Sequence, residues 1–305
     1  MTSRVVVGYT ATKAGRDALA LGSRLARATG SELHTVVILP ADSRSVVTPP
    51  DAAYDGYLEE QAGRWLAEAG ERVPEEVSRT PHVRFAESVG EGLIAVADEL
   101  DAAYIVVGTA NGAGRGRYRL GTTANELLHT SDVPVVLAPR GTRKHEIDGI
   151  PRLTVAVGTR PGAGDLLDEA VALAAATGAS LRLVSLVTVD LPATVDTGVI
   201  RLAGAAHADD VLATAQDALR AESPGVETTA EVARGDGIEE AVAALEWMPG
   251  ELALVGSSRL AQPRRLFLGS TAARMMRALP VPMVVVPRAR VRDGVRGDDE
   301  GGKQA

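Results

Sequence analysis

The sequence predicts an α/β protein made of one unit used twice, each unit a five-stranded parallel sheet with helices on both faces. Three observations carry that expectation. Apolar, β-branched runs alternate with helical periodicity along the chain, and no hairpin signal separates neighbouring runs, the pattern of parallel strands buried between helices. A fixed offset of 148 residues relates the halves: TGSELHTVVIL (Thr29 to Leu39) returns as TGASLRLVSLV (Thr177 to Val187), and VPVVLAPR (Val133 to Arg140) as VPMVVVPR (Val281 to Arg288). The same offset separates two glycine-containing stretches, GTANGAGRGRYRLGT (Gly108 to Thr122) and GSSRLAQPRRLFLGS (Gly256 to Ser270).

Taken in order, the first unit opens with a strand at Val5 to Gly8, then a helix over Arg16 to Thr29, with Leu19, Leu21 and Leu25 near helical spacing and Gly30 as its C-cap. Glu32 to Leu39 is the second strand. A helix over Asp51 to Glu71 follows a Pro-Pro pair, and Val83 to Ala86 is the third strand. Glu91 to Leu100 is helical, Tyr104 to Val107 is the fourth strand, Thr122 to His129 a helix and Val135 to Ala138 the fifth strand. The second unit repeats this order. Its opening strand, LTVAVG ending at Gly158, is offset from RVVVG by 150 residues, so the copy is two residues shorter just after that strand. The domains read as 1–140 and 151–288, with the charged, aperiodic stretch 141–150 as linker and a polar, glycine-rich, disordered tail over 289–305. Both fifth strands are apolar and bracketed by prolines, so each reads as an edge strand that must be paired. The expected partner is the other copy, giving an intramolecular pseudo-dimer and leaving room for a homodimer.

Composition narrows the function classes. The chain has 305 residues, 45% of them hydrophobic, and a net charge of −8, which argues against general binding to nucleic acid or acidic membranes. Cysteine is absent, which removes disulfides, thiol nucleophiles and thiolate metal sites. The N-terminus enters a short β-branched run without a signal-peptide pattern, and no stretch approaches membrane-spanning length. The expected location is the cytoplasm.

The chemistry points to the two glycine stretches. Each follows an apolar run (AYIVV before Gly108, ELALV before Gly256) and closes on Gly plus a hydroxyl residue at the start of a helical pattern. Free backbone N–H groups, the positive end of the helix dipole and a hydroxyl side chain together suit an anion such as phosphate. In a parallel α/β sheet such ligands lie at the carboxyl ends of the strands, near the reversal of strand order.

With these residues in place, the chain resembles the universal stress protein family in its tandem bacterial form. The pattern G-x2-G-x9-G-[ST] after a fourth strand, followed by a helix and a PVxVVP-like strand, carries the resemblance over nearly the whole chain. It implies Rossmann-like domains of the adenine nucleotide alpha hydrolase-like type, a cytoplasmic stress-response role and, in some members, bound ATP. It also implies an aspartate after the first strand that contacts adenosine, a backbone position late in the second strand that frames the base, and the glycine motif around ribose and phosphates. Here the aspartate position holds Thr10 in the first unit and Arg160 in the second. A hydroxyl still accepts a hydrogen bond; a guanidinium accepts none. Ile38 takes the second-strand position. The motif glycines fall on Gly108, Asn111 and Gly121, and on Gly256, Arg259 and Gly269. Asparagine tolerates a left-handed backbone better than arginine, which favours the first copy. Thr122 and Ser270 keep the motif hydroxyl. A second hydroxyl position holds Ala124 and Ala272, with Thr123 and Thr271 as neighbouring substitutes.

Arg115, Arg117 and Arg119, with Arg264 and Arg265 in the other copy, read equally as phosphate donors or as solvated loop residues. The remaining features carry less. His34, His82, His129, His145 and His207 lack metal-ligand spacing. Asp98, Glu99 and Asp101 read as a solvated helix end. Trp65 and Trp247 read as core or interface residues in helical patterns. Gly162 and Gly164 fall short of a dinucleotide fingerprint, and no phosphate-loop lysine, nucleophile elbow or zinc-protease motif occurs. The reading is a stress-response binding or regulatory module that is not an enzyme, with ATP or AMP held weakly or in the first unit only. Its alternatives are a nucleotide-free dimerisation scaffold and a slow ATP hydrolase.

Overall fold

The apolar runs of the inner strands lie with both faces under cover, while the outermost strands are partly exposed. The computed structural model describes residues 2–41, 52–110, 118–145, 147–158, 163–188, 198–258 and 266–288. The first half runs β1 (Arg4–Gly8), α1 (Lys13–Thr29), β2 (Glu32–Pro40), α2 (Ala52–Gly70), β3 (Arg79–Ala86), α3 (Val89–Glu99), β4 (Tyr104–Gly108), α4 (Thr122–Thr130) and β5 (Val135–Ala138). The second runs β6 (Arg152–Ala156), α5 (Ala163–Thr177), β7 (Ser180–Thr188), α6 (Gly198–Glu222), β8 (Thr228–Gly235), α7 (Ile238–Ala243), β9 (Leu252–Gly256), α8 (Ser270–Ala278) and β10 (Met283–Val286).

The described strands form one sheet of order β3-β2-β1-β4-β5-β10-β9-β6-β7-β8. Pairing is parallel inside each half. The halves meet where β5 and β10 pair antiparallel, with Met283 opposite Leu137, Val284 opposite Val136 and Val285 opposite Val135. Side chains alternate across the sheet with the strand period of two. Val5, Val7, Leu33 and Val37 pack under α1 and α2 on one face, while Val6, Val36, Ile105 and Leu127 pack with α3 and α4 on the other. Both layers cross the seam: Val136 and Val284 share one cluster, Val135 and Val285 the other. All four valines are fully buried, each contributing about 1.5–3 kcal/mol of hydrophobic stabilisation.

Several boundaries differ from the expectations. β3 begins at Arg79, four residues before Val83, and carries Pro81 opposite Thr35. A proline without an N–H is tolerated there because β3 is the outermost described strand, paired with β2 alone. α1 begins at Lys13, not Arg16, because the Thr12 side chain accepts from the Gly15 N–H at 3.3 Å as N-cap. Gly30 closes the helix in a left-handed conformation. α3 begins at Val89 under a Ser88 N-cap. Trp247 lies after α7 and outside any helix; its indole N–H donates to Val242 O at 3.0 Å, and the Arg182 guanidinium sits 5.0 Å from its ring centre. Trp65 lies in α2, packed against the core. The tail beyond Arg288 lies outside the described residues.

The connection between the halves is docked on α1. Asp17, 1% exposed, accepts from the backbone N–H groups of Gly141 and Arg143, each at 3.0 Å, and from the Arg143 guanidinium at 2.8 Å. Polar clusters also tie neighbouring strands together. In the second half Glu251 sits between Arg152 at 2.7 Å and Arg182 at 2.9 Å; in the first, His34 Nδ1 and His82 Nε2 lie 2.8 Å apart across β2 and β3.

Candidate functional site: the crevice between β1 and β4

Strand order decides where a crevice opens. From β1 the chain steps outward through β2 and β3, then returns to place β4 and β5 on the opposite side of β1. The loops leaving β1 and β4 therefore diverge, and a cleft forms at their carboxyl ends. It encloses about 180 Å³ within a wider opening of about 660 Å³.

Its walls are built from local chemistry. The Tyr9 N–H donates to Val36 O at 2.8 Å, and the Thr109 N–H to Ala138 O at 3.0 Å, so both strands keep their ladders up to the cleft. The chain then folds back on the start of α1. The Thr12 N–H donates to Thr10 O at 2.7 Å, and the Thr10 and Thr12 hydroxyls lie 2.9 Å apart, which leaves Thr10 exposed at the mouth. Two glycines make this possible. A Cβ at Gly15 would stand 2.0 Å from Thr10 O, and one at Gly108 would stand 2.0 Å from Ala14 O. A side chain at Gly108 would push α1 off β4, and one at Gly15 would push it off the Thr10 backbone.

The first glycine loop is pinned at its base by the Ala110 N–H donating to Arg119 O at 2.6 Å. It leads into Gly121, an extended N-cap with φ −90° and ψ 175° that offers no side-chain cap. The first amides of α4, at Thr122, Thr123 and Ala124, therefore point toward the cleft without intrahelical acceptors. On the other side Val89 and Leu93 of α3, with Val36, Ile38 and Val107, make an apolar wall. Ser88 holds that wall in place: it caps α3 by accepting from the Glu91 N–H at 3.1 Å, and its hydroxyl donates to the Glu126 carboxylate on α4.

The structure thus brings Thr10, Ile38, Gly108, Gly121, Thr122 and Thr123 to one cleft; Asn111 lies outside the described residues. Ala14, Gly15, Val89 and Leu93 line it too and were not among the expected residues. The only local signal for them was Ser88 with Glu91, an N-cap pattern at the start of α3. The described lining residues supply hydroxyls, backbone groups and apolar surface; among them none is a carboxylate, histidine, lysine or arginine. Arg119 is exposed beside the loop exit.

In the second half, Gly256 ends β9 and Gly269 is the uncapped N-cap of α8, followed by Ser270 and Thr271, both exposed. The base of the loop repeats, with the Ser258 N–H donating to Phe267 O at 2.8 Å. The surroundings do not repeat. Among the described residues a Cβ at Gly256 would come no closer than 3.8 Å, to Leu166, and one at Gly158 would meet nothing within 4 Å. Arg160, Arg259, Arg264 and Arg265 lie outside the described residues. Among the described residues no helix is long and apolar enough to cross a membrane, and no cluster of three potential metal ligands occurs.

Comparison with known proteins agrees with this architecture. The sequence model of the universal stress protein family matches twice, over residues 1–139 and 149–287. Universal stress proteins of Mycobacterium bovis and Mycobacterium tuberculosis are each 32% identical over 300 residues, covering 93% of this chain and 99% of theirs. A universal stress protein structure from Archaeoglobus fulgidus superposes with a TM-score of 0.68 at 18% identity, covering 94% of this chain and 98% of that one. A putative universal stress protein from Pseudomonas aeruginosa gives 0.52 at 17% identity, covering 94% of each. Tandem glycine loops, a parallel sheet in each half and full-length similarity lead to one assignment: the chain belongs to the universal stress protein family.

Proposed function

We propose that the protein is a stress-response binding module that holds an adenine nucleotide in its first half. The observation that supports this most directly is the cleft between β1 and β4, which places an apolar wall opposite an uncapped helix N-terminus. A planar base fits the wall of Ile38, Val89 and Leu93, and a phosphate fits the amides of Thr122 to Ala124 with the hydroxyls of Thr122 and Thr123. Each helix-end contribution is about 0.3–1 kcal/mol, so affinity comes from several modest contacts acting together. Among the described residues the lining holds no group suited to deprotonate water or to ligate a metal, which favours binding over hydrolysis.

Isothermal titration of the full chain with ATP and with AMP tests the reading. Saturable binding near one nucleotide per chain, lost in Gly121→Val, is the expected result. Absence of binding at millimolar nucleotide would leave the scaffold reading, and phosphate release with magnesium would establish the hydrolase.

A further inference from the structure

Outside the cleft, the exit of the second glycine loop is fastened to the first half. The Leu266 N–H donates to Ser131 O at 2.8 Å and the Leu268 N–H to Leu128 O at 3.1 Å. Between them the Phe267 ring meets His129 edge-on, with centroids 5.1 Å apart and planes at 86°. His129 is itself set by a 2.6 Å hydrogen bond between its Nδ1 and Asn125 O. Leu128 lies in the last turn of α4 and Ser131 is its C-cap. Carbonyls there have no acceptor role inside the helix; the second half supplies their donors.

The opposite end of the same helix is the uncapped N-terminus in the cleft. α4 has nine residues, so it is a stiff rod about 13 Å long with the cleft at one end and the second loop at the other. The fastening is one-sided. Shifted by the repeat, the same bonds would run from Tyr118 to Leu279 and from Leu120 to Met276, and among the described residues neither forms. From the described part of the first loop the Tyr118 hydroxyl reaches across, donating to Val281 O and hydrogen-bonded to the Met283 backbone. Burial raises that phenol well above its ordinary pKa, so it stays a donor.

We propose that α4 couples the two halves: an anion at its N-terminus in the first cleft orders residues 266–268 of the second, and those residues in turn set the affinity of the cleft. The proposal rests on the nucleotide reading of that cleft. Close-packed elements transmit a displacement, and a ligand that draws the first amides of α4 toward itself loads the two hydrogen bonds and the ring contact at the far end. Linkage makes the effect reciprocal, by the same factor in both directions. Residues 266–268 then serve as a sensor of the first cleft.

Hydrogen–deuterium exchange of the full chain, with and without ATP at a concentration shown by titration to saturate, tests the coupling. ATP should slow exchange of the amides of residues 266–268 about fivefold or more. Phe267→Ala, at a ring 38% exposed and outside the cleft, should abolish the slowing and weaken ATP binding by a similar factor; His129→Ala should do the same from the other side of the contact. Bound ATP with unchanged exchange at 266–268 would overturn the coupling while leaving the nucleotide reading intact. If titration shows no ATP binding, that reading falls, and the coupling is decided without ligand. Phe267→Ala must then accelerate exchange of the α4 amides from Glu126 to Thr130, and unchanged exchange there overturns it.

Discussion

In the proposed nucleotide reading, Thr10 is the residue that meets the sugar. It offers a single hydroxyl 2.9 Å from that of Thr12, where a carboxylate would accept from two ribose hydroxyls at once. Thr10→Asp adds a charged acceptor at the mouth of a cleft whose described lining has none, and hydrogen bonds to charged groups contribute about 1.5–3 kcal/mol. ATP affinity measured by titration should rise about tenfold, and affinity for an analogue lacking both ribose hydroxyls should not. Equal gains for both would show that Thr10 does not face the sugar. At this scale the glycine spacing was readable, because Gly108, Gly121 and Thr122 belong to one contiguous motif. Ala14 and Gly15 were not. Gly15 packs on the Thr10 backbone, and Ala14 touches Gly108 at the end of β4, an element some ninety residues away; nothing in either segment announces that second contact.

Among the elements, strand identity followed the apolar runs and failed where polarity masked it. β1, β2, β4 and β5 are Val- and Ile-rich, buried on both faces, and stand close to their expected limits. The first four residues of β3, Arg-Thr-Pro-His, look like a loop and form a strand only because the sheet edge can accept Pro81. That edge also carries a titration. His34 and His82 are stacked with ring centroids 5.1 Å apart. Burial pushes both below the ordinary histidine pKa; Arg4 adds to the shift at His34 and Glu32 opposes it, while His34 and Arg84 add to that at His82 against Glu99 and Glu32. The folded chain therefore favours neutral imidazoles, and the unfolded chain takes up protons near pH about 6.5. The stabilisation is complete above that pH and is lost as pH falls through the lower folded values. Melting temperature should drop between pH about 7.5 and about 5.5, and His82→Gln should shrink the drop. An identical drop in the variant would remove the pair from the account.

For the molecule as a whole, duplication explains the architecture and departures from it set the two halves apart. Two similar halves share one sheet through β5 and β10, and both core layers run through that seam. The linker adds a specific tie, since Asp17 gathers two amides and the Arg143 guanidinium while almost fully buried. Asp17→Ala strands those donors, and removing one partner of a buried ion pair costs about 3–5 kcal/mol. Chemical denaturation should register a loss near the lower figure, because Arg143 is 23% exposed; a loss under about 1 kcal/mol would place the linker among surface pairs. The repeat itself was legible in the residues, whereas the asymmetry was legible only in part. Thr10 and Arg160 distinguish the halves by chemistry, but the fastening of Leu266 and Leu268 to α4 depends on packing between segments that no periodicity relates.

The central claim is that the first half alone holds an adenine nucleotide. Its most direct test is to purify the chain without added nucleotide, denature it, and identify the released small molecules by mass spectrometry, in parallel with Gly121→Val and Gly269→Val. The account predicts ATP or AMP from the wild type and from Gly269→Val, and none from Gly121→Val. Nucleotide that persists in Gly121→Val and disappears in Gly269→Val would contradict it, placing the ligand in the second half.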